Sequence, residues 1–232
     1  MPLQNEYGQP IGSDLGEWTP PPFPAPETLT GQHVILEPLS WHRHGEDLWD
    51  AMRDAPDSLW TYMSFGPFRE ISDFRATLEQ LLGFPDWLPF AMVVSGRAGG
   101  FASYLRIQPS EGVIEIGSIV FSPDLQRTTP ATEAIYLMIR NVFALGYRRC
   151  EWKCDALNDP SRRSADRLGF VYEGTFRQAT HYKGRNRDTA WYSLVDAEWP
   201  AIDLAFQGWL SPDNFASDGT QIRSLKEMRG TP

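Results

Sequence analysis

Two helix starts carry the residues of this chain best suited to chemistry. The stretch SPDLQRTTPATEAIYLMIRNVFALGYRRCEWKC, from Ser122 to Cys154, reads as a loop, a long amphipathic helix and a strand. Gln126, Arg127, Thr128, Thr129 and Pro130 fall where the helix must begin. A helix N-terminus presents unpaired N–H groups and about half a positive charge. Thr129 can cap it, and Pro130 suits the first helical position, since its missing N–H costs nothing there. The N–H groups of Arg127, Thr128, Thr129, Ala131 and Thr132 could then converge on an anion such as a diphosphate, with Arg127 adding a full charge. The plain alternative is a capped helix start that binds only water.

A second start follows in CDALNDPSRRSADRLGF, where Asn158 and Ser161 sit just past the next strand. Asp159 is the expected N-cap, Pro160 the first helical residue and Gly169 the terminator. Arg162 and Arg163 in the first turn oppose the helix dipole, a placement that invites either a nearby anion or ordinary solvation. If the two strands are adjacent and parallel, both helix starts open on one edge of the sheet, the crevice where ligands of open α/β sheets collect.

The elements that must position these starts are readable by period. HVILEPL, from His33, is a strand. WHRHGEDLWDAMRD carries Leu48, Ala51 and Met52 at helical spacing, and SDFRATLEQLLG begins at Ser72 or Asp73 and stops at Gly83. LPFAMVV, GFASYLRI and GVIEIGSIVF form an antiparallel meander. The helix from Pro130 to Leu145 places Ala131, Ala134, Ile135, Met138, Ile139, Val142 and Phe143 on one stripe. RRCEWKC alternates, with Cys150, Trp152 and Cys154 on one face. FVYEGTFRQ and DTAWYSLV make a last strand pair, and DAEWPAIDLAFQGW a closing helix. The expected class is mixed α/β: a largely antiparallel sheet with one strand–helix–strand crossover and flanking helices. Residues 1–31, rich in Pro and Gly, read as an extended arm resting on the domain through Trp18 and Phe23. Residues 32–208 form the domain, and 209–232 a polar, peripheral tail.

Composition narrows the function. The net charge is −9, which argues against general nucleic-acid binding and mildly favours a partner bearing an amine. An anionic ligand must be held by local donors against that field. No apolar run approaches the roughly 18 residues of a membrane span, and the N-terminus lacks the pattern of a secretory leader, so a cytoplasmic, non-membrane protein is expected. Cys150 and Cys154 lie too far apart along one strand to form a disulfide. Two thiols with no neighbouring histidine pair make no metal site, so both are expected to be packing residues. No G-x-x-x-x-G-K-[ST] loop is present. The sequence leaves the oligomeric state open, a homodimer included.

The chain resembles the GCN5-related N-acetyltransferase (GNAT) superfamily, most closely the RimJ/RimL-like branch that acetylates ribosomal-protein N-termini. The resemblance runs from about His33 to Pro200. It rests on EIGSIVFSPDLQRTTPATEA, on LGYRRCEWKCDALNDPSRRSADRLGFVYEGTFRQ and on NRDTAWYSL. It implies acetyl-CoA as co-substrate, bound where the strand ending at Ile119, Val120 and Phe121 parts from the strand at Cys150–Cys154. The family's diphosphate loop, Gln/Arg-x-x-Gly-x-Gly/Ala, reads here Gln126-x-x-Thr129-x-Ala131. Thr129 stands for the glycine, narrowing the cradle or substituting its hydroxyl for a donor, and Pro130 removes one N–H. By resemblance, Asn158 bonds the pantetheine arm, Ser161 lies near the thiol, and a backbone N–H near Val120 polarises the thioester carbonyl.

The resemblance implies acetyl transfer to an amine, either a protein N-terminus or a small molecule. Ser161 is the candidate donor to the departing thiolate. At the position just past RQA, where the branch carries an acidic candidate base, stands Thr180, followed by His181. His181 and Glu115 are therefore the two candidate bases. Asp188 is expected to salt-bridge Arg185 or Arg187. Trp60, Tyr62 and Phe65, in SLWTYMSFGPF, either line the acceptor pocket or simply pack on the core. With no nucleophile–histidine signature, direct transfer is expected rather than a covalent acyl-enzyme. The rival reading is a non-catalytic CoA-binding or protein-interaction module on the same fold.

Overall fold

The computed structural model describes residues 3–230; the outermost two positions of the arm and of the tail lie outside the described residues. In chain order the elements are β1 Leu3–Gln4, β2 Pro10–Ile11, β3 Leu29–Thr30, β4 Ile35–Pro38, α1 Trp41–Met52, α2 Ile71–Leu82, β5 Leu88–Val94, β6 Arg97–Gln108 and β7 Val113–Phe121. They continue with α3 Thr129–Ala144, β8 Arg149–Asp155, α4 Asp159–Leu168, β9 Val171–Tyr182, β10 Arg185–Val195, α5 Trp199–Leu210 and α6 Leu225–Arg229. Strands β3 to β10 form one sheet in the order β3-β4-β5-β6-β7-β8-β10-β9. Every neighbouring pair is antiparallel except β7–β8. A two-residue turn at Ser95–Gly96, both at positive φ, joins β5 to β6 and makes the expected meander. The crossover through α3 forces β7 and β8 to run parallel.

Two apolar cores lie on opposite faces of the sheet. Helices α3 and α5 cover one face. The other is covered by α1 and α2, whose Leu48, Met52, Phe74 and Leu78 meet Ala91, Phe101 and Val120. The stripe read on α3 is buried from Ala131 to Val142, with Phe143 only partly so. Tyr136 and Leu137, off that stripe, are buried as well. The cause is α5: Phe206 stacks on Tyr136 with ring centroids 4.8 Å apart. Glu133 is buried too, because its carboxylate accepts from the N–H groups of Gln32 (2.7 Å) and His33 (2.6 Å).

Three boundaries differ from the sequence reading. Helix α2 begins two or three residues earlier than expected, with Glu70 rather than Ser72 or Asp73 at the N-cap. The arm does rest on the domain through Trp18, whose indole donates to Gly146 O (3.1 Å) under the Arg148 guanidinium. Phe23, however, is exposed, and the buried anchors are Pro21 and Pro24. The arm also adds β3 to the sheet edge, pairing Leu29 with Leu36.

The tail is docked rather than peripheral. Leu225 is 1% exposed, and Asn214 is buried, bonding Trp209 O, Arg223 O and the Arg223 N–H. A tail with so few apolar residues has no period to read, so its anchors were invisible in sequence. Among the described residues no helix is long and apolar enough to cross a membrane.

Candidate active site

The parallel pair β7–β8 opens. Its register pairs Val113 with Arg149, Ile114 with Cys150 and Glu115 with Glu151, and ends there. β7 runs on to Phe121 and β8 to Asp155 without partnering each other, so among the described residues the β8-facing edge of β7 beyond Glu115 has no strand neighbour. A bulge accompanies the parting. β6 pairs Phe101 with Val120 and Ser103 with Gly117, which leaves Ser118 and Ile119 opposite Ala102 alone. Ser118 takes φ +50°, and its buried Oγ has no partner among the described residues. Bulges re-aim backbone and side chains beside active sites.

Both helix starts open at this gap. At α3, the N–H groups of Leu125 and Gln126 turn back on Ser122 O (3.0 Å each). The cap is Thr128, not Thr129: its Oγ1 accepts from Ala131 N (3.3 Å) and donates to Leu125 O (2.7 Å). The Thr132 N–H goes to Thr128 O (3.3 Å). Of the five N–H groups the sequence offered, Ala131 and Thr132 are therefore already taken. Those of Arg127, Thr128 and Thr129 have no partner among the described residues. Arg127 adopts φ +61°, the left-handed geometry that turns successive N–H groups into an anion-binding nest. Gln126, exposed, turns back along the loop, its Nε2 donating to Phe121 O (3.3 Å). Thr128→Ala is expected to cost about 1 kcal/mol of stability, read as a lower melting temperature.

At α4 the cap is Asn158, not Asp159; its Oδ1 accepts from Ser161 N (3.2 Å), and its Nδ2 has no partner among the described residues. Ser161 Oγ accepts from the Trp152 indole N–H (3.0 Å). Sequence reasoning missed Trp152, although its alternation with Cys150 and Cys154 placed it on the helix-facing side. Arg162 needs no anion. It reaches Tyr192 OH (3.1 Å) and Ala156 O (3.3 Å), while Arg163 is exposed. Cys150 and Cys154 are free and buried, and burial pushes both thiols up. Neither supplies a thiolate nucleophile.

At the point of parting lies a charged network. Glu115, 4% exposed, meets Lys153 Nζ at 2.6 Å and Arg106 Nε at 3.5 Å. Arg106 also faces Glu151 (3.8 Å), which accepts from Arg149 (2.9 Å), and Arg149 clamps Glu173. The Trp191 ring lies under both Lys153 (4.6 Å) and Arg106 (5.3 Å). Burial pushes the Glu115 carboxyl up to about 7 against the pull of Lys153 and Arg106. His181, by contrast, is exposed on β9. Its neighbour Tyr182 turns its hydroxyl to Asp155 (2.7 Å), so strand alternation aims His181 away from that face.

The aromatic loop divides its roles. Trp60 is core, packed on Phe65 and Phe68, rather than the lining of an open cleft. Phe65 packs on Phe101. Tyr62 reaches across to Leu157 O (2.9 Å), just past β8. The β9–β10 hairpin meets this loop from the other side, with Lys183 on Trp60 O (2.7 Å) and Arg185 on Thr61 O (3.4 Å). Asp188 forms neither expected salt bridge; its carboxylate accepts from Gln178 N (2.8 Å) and Asn186 (3.0 Å). A cavity of about 710 Å³ borders Pro130 from the β4–α1 side. In its wall Glu37 takes both Arg43 and His44, and Asp47 takes Arg97. Among the described residues no cluster of His, Cys, Asp or Glu could hold a metal ion.

A mixed sheet whose single parallel pair parts between two helix starts defines the acyl-CoA N-acyltransferase class of fold. Residues 33–171 match the family model described as the acetyltransferase (GNAT) domain. The chain belongs to the GNAT family, and with it the reaction class is acyl transfer. A GCN5-related N-acetyltransferase from Brucella melitensis is 44% identical, with TM-score 0.90, over 94% of this chain and 100% of that one. A GNAT-family protein from Chromobacterium violaceum ATCC 12472 is 39% identical, with TM-score 0.79, over 83% and 98%. RimJ from Mycobacterium smegmatis, solved with CoA-disulfide, is 17% identical with TM-score 0.66 over 75% and 90%, a likeness of fold. No curated protein matches the chain.

Proposed function

We propose that this protein transfers the acetyl group of acetyl-CoA to a primary amine, a protein N-terminus or a small molecule, by direct attack. The observation that carries the reading is the unpaired edge of β7, ending between three free loop N–H groups and the Asn158 cap. Bound there, acetyl-CoA supplies an activated acetyl thioester. Arg127, Thr128 and Thr129 hold the diphosphate through their N–H groups, with the Arg127 guanidinium adding charge. Thr129, in place of the family glycine, narrows that cradle. Ile119, Val120 and Phe121 offer backbone to the pantetheine arm, and Asn158 Nδ2 donates to it.

A backbone N–H near Val120 donates to the thioester oxygen as negative charge grows there. A C–N bond forms and the C–S bond breaks. Of the two protons lost by the ammonium, Glu115 takes one. The other ends on sulfur through Ser161, whose Oγ is held by Trp152. Glu115 is preferred to His181 as base because it is buried beside the parting strands.

Ser161→Ala is expected to lower kcat about tenfold, below the usual 10²–10⁴ of proton-transfer assistance, because a thiolate leaves readily. KM should hold, and stopped-time thiol release measures both.

The test of the whole reading is calorimetry with acetyl-CoA followed by thiol release across an amine panel. Binding with release supports transfer. Binding without release from any amine leaves the rival, a CoA-binding module, a reading favoured by Thr129 and Pro130 in the diphosphate loop. Absence of binding defeats both.

A further inference from the structure

The hairpin of β9 and β10 concentrates positive charge in an acidic protein. The net charge is −9, yet TFRQATHYKGRNR, residues 175–187, carries Arg177, Lys183, Arg185 and Arg187 and no carboxylate. The next residue, Asp188, accepts from Gln178 N and Asn186 Nδ2 on one oxygen, Oδ1, and lies in the field of Arg177. Lys183 and Arg185 bond the carbonyls of Trp60 and Thr61, which satisfy donors without cancelling charge. Burial, with the nearby Arg185 adding to it, pushes the Lys183 ammonium down. Arg187 Nε is buried with no partner among the described residues. The Arg187 guanidinium lies 6.0 Å from the Tyr182 ring, whose hydroxyl holds Asp155 at the end of β8. The other Asp155 oxygen accepts from Leu157 N (2.9 Å), so its single negative charge, with that of Asp188, stands against four cations on the hairpin.

These cations stand between the Trp60–Tyr62 loop and the open end of β8, across the approach to the parted strands. That location is unfavourable for a simple amine, which arrives as an ammonium and meets like charge. The same field attracts an acceptor whose amine has a neighbouring anion. Arginine pairs with carboxylates through two parallel N–H bonds, and its Nε is one of the donors of that fork.

We propose that the acceptor carries a carboxylate close to its amine, held by Arg187 with Lys183 and Arg185 setting the field. This rests on the acetyl-transfer reading and names the acceptor class within it. A free amino acid and a peptide N-terminus with an acidic second residue share that chemistry, and both place an anion within a few bonds of the reacting nitrogen.

The experiment compares matched pairs on the full chain at saturating acetyl-CoA: an amino acid against its amide, and an Asp-second tripeptide amide against its Asn-second twin. Thiol release gives KM and kcat, and calorimetry on the CoA-loaded protein reads binding of the same pairs without turnover. The carboxylate member of one pair is expected to bind about 10- to 100-fold better than its neutral twin. The pair that shows it separates a small acceptor from a peptide. Arg187→Met should erase the difference while acetyl-CoA affinity and melting temperature hold, and Arg187→Lys should restore part of it. Equal binding within both pairs, or a preference that survives Arg187→Met, overturns the proposal while acetyl transfer stands. Failure of acetyl-CoA to bind overturns both.

Discussion

Glu115→Gln is expected to lower kcat/KM for the amine by about 10²–10⁴-fold, the span of positioned general-base catalysis. Glutamine keeps the shape of the side chain and removes its basicity. In the native protein the rate should rise with pH through about 7, where burial has moved the Glu115 carboxyl, because only the carboxylate accepts the ammonium proton. The Gln variant should lose that inflection. Stability moves the opposite way. The folded carboxyl holds its proton above its ordinary value, so its contribution to stability is complete below about pH 4.5 and is lost as pH rises through about 7. Wild-type melting temperature should therefore fall relative to the Gln variant between pH 5 and 8. The variant leaves Lys153 beside a neutral amide, so melting curves at each pH separate a folding defect from a chemical one. Parallel rate–pH profiles for the two proteins would remove Glu115 as the base and return His181 to consideration.

Leu225→Ala, beyond the last turn of α5, should be strongly destabilising. Leu225 is all but fully buried, in the short helix that packs against α4 and α5, and Asn214 fixes the preceding loop by three hydrogen bonds. Leucine-to-alanine changes at such positions cost about 2–5 kcal/mol, transfer and cavity together. For a chain of this size that is a fall in melting temperature of roughly 5–15 °C. The exposed neighbour Ile222 provides the control, since Ile222→Ala should change little. If Leu225→Ala melts with wild type, the tail is not part of the cooperative unit. Calorimetric unfolding of both variants decides it.

Much of the frame was legible because its signals are local. The alternation of Cys150, Trp152 and Cys154 fixed which side of β8 meets the helices. The 3.6-residue stripe of Ala134, Met138 and Val142 fixed α3, and the positions of Gly146 and Gly169 fixed where two helices stop. The two helix starts, with Asn158 and Ser161 three apart, pointed to the gap before any contact was known. The caps shifted by one residue, to Thr128 and Asn158, because capping depends on which oxygen reaches an N–H, a matter of φ and ψ rather than residue type alone. The acceptor side was poorly legible. An aromatic run such as SLWTYMSF looks the same whether it faces a cleft or a core, and only packing against Phe68 and Phe101 placed Trp60 inside and left Phe65 half-buried beside it.

The sequence by itself determined the order of elements, the positions of the helix starts and the family to which they belong, because backbone preference and hydrophobic period are written within a few residues of each other. Tertiary structure alone decided where β7 and β8 part and that α5 buries the second face of α3. It also brought Glu115, Lys153, Arg106 and Trp191 together and set the hairpin cations against the Trp60 loop. Each of these depends on groups distant in the chain that meet only when the sheet closes. The free energy of a buried charge or an unpaired strand edge is set by those neighbours, not by the residues beside it in sequence.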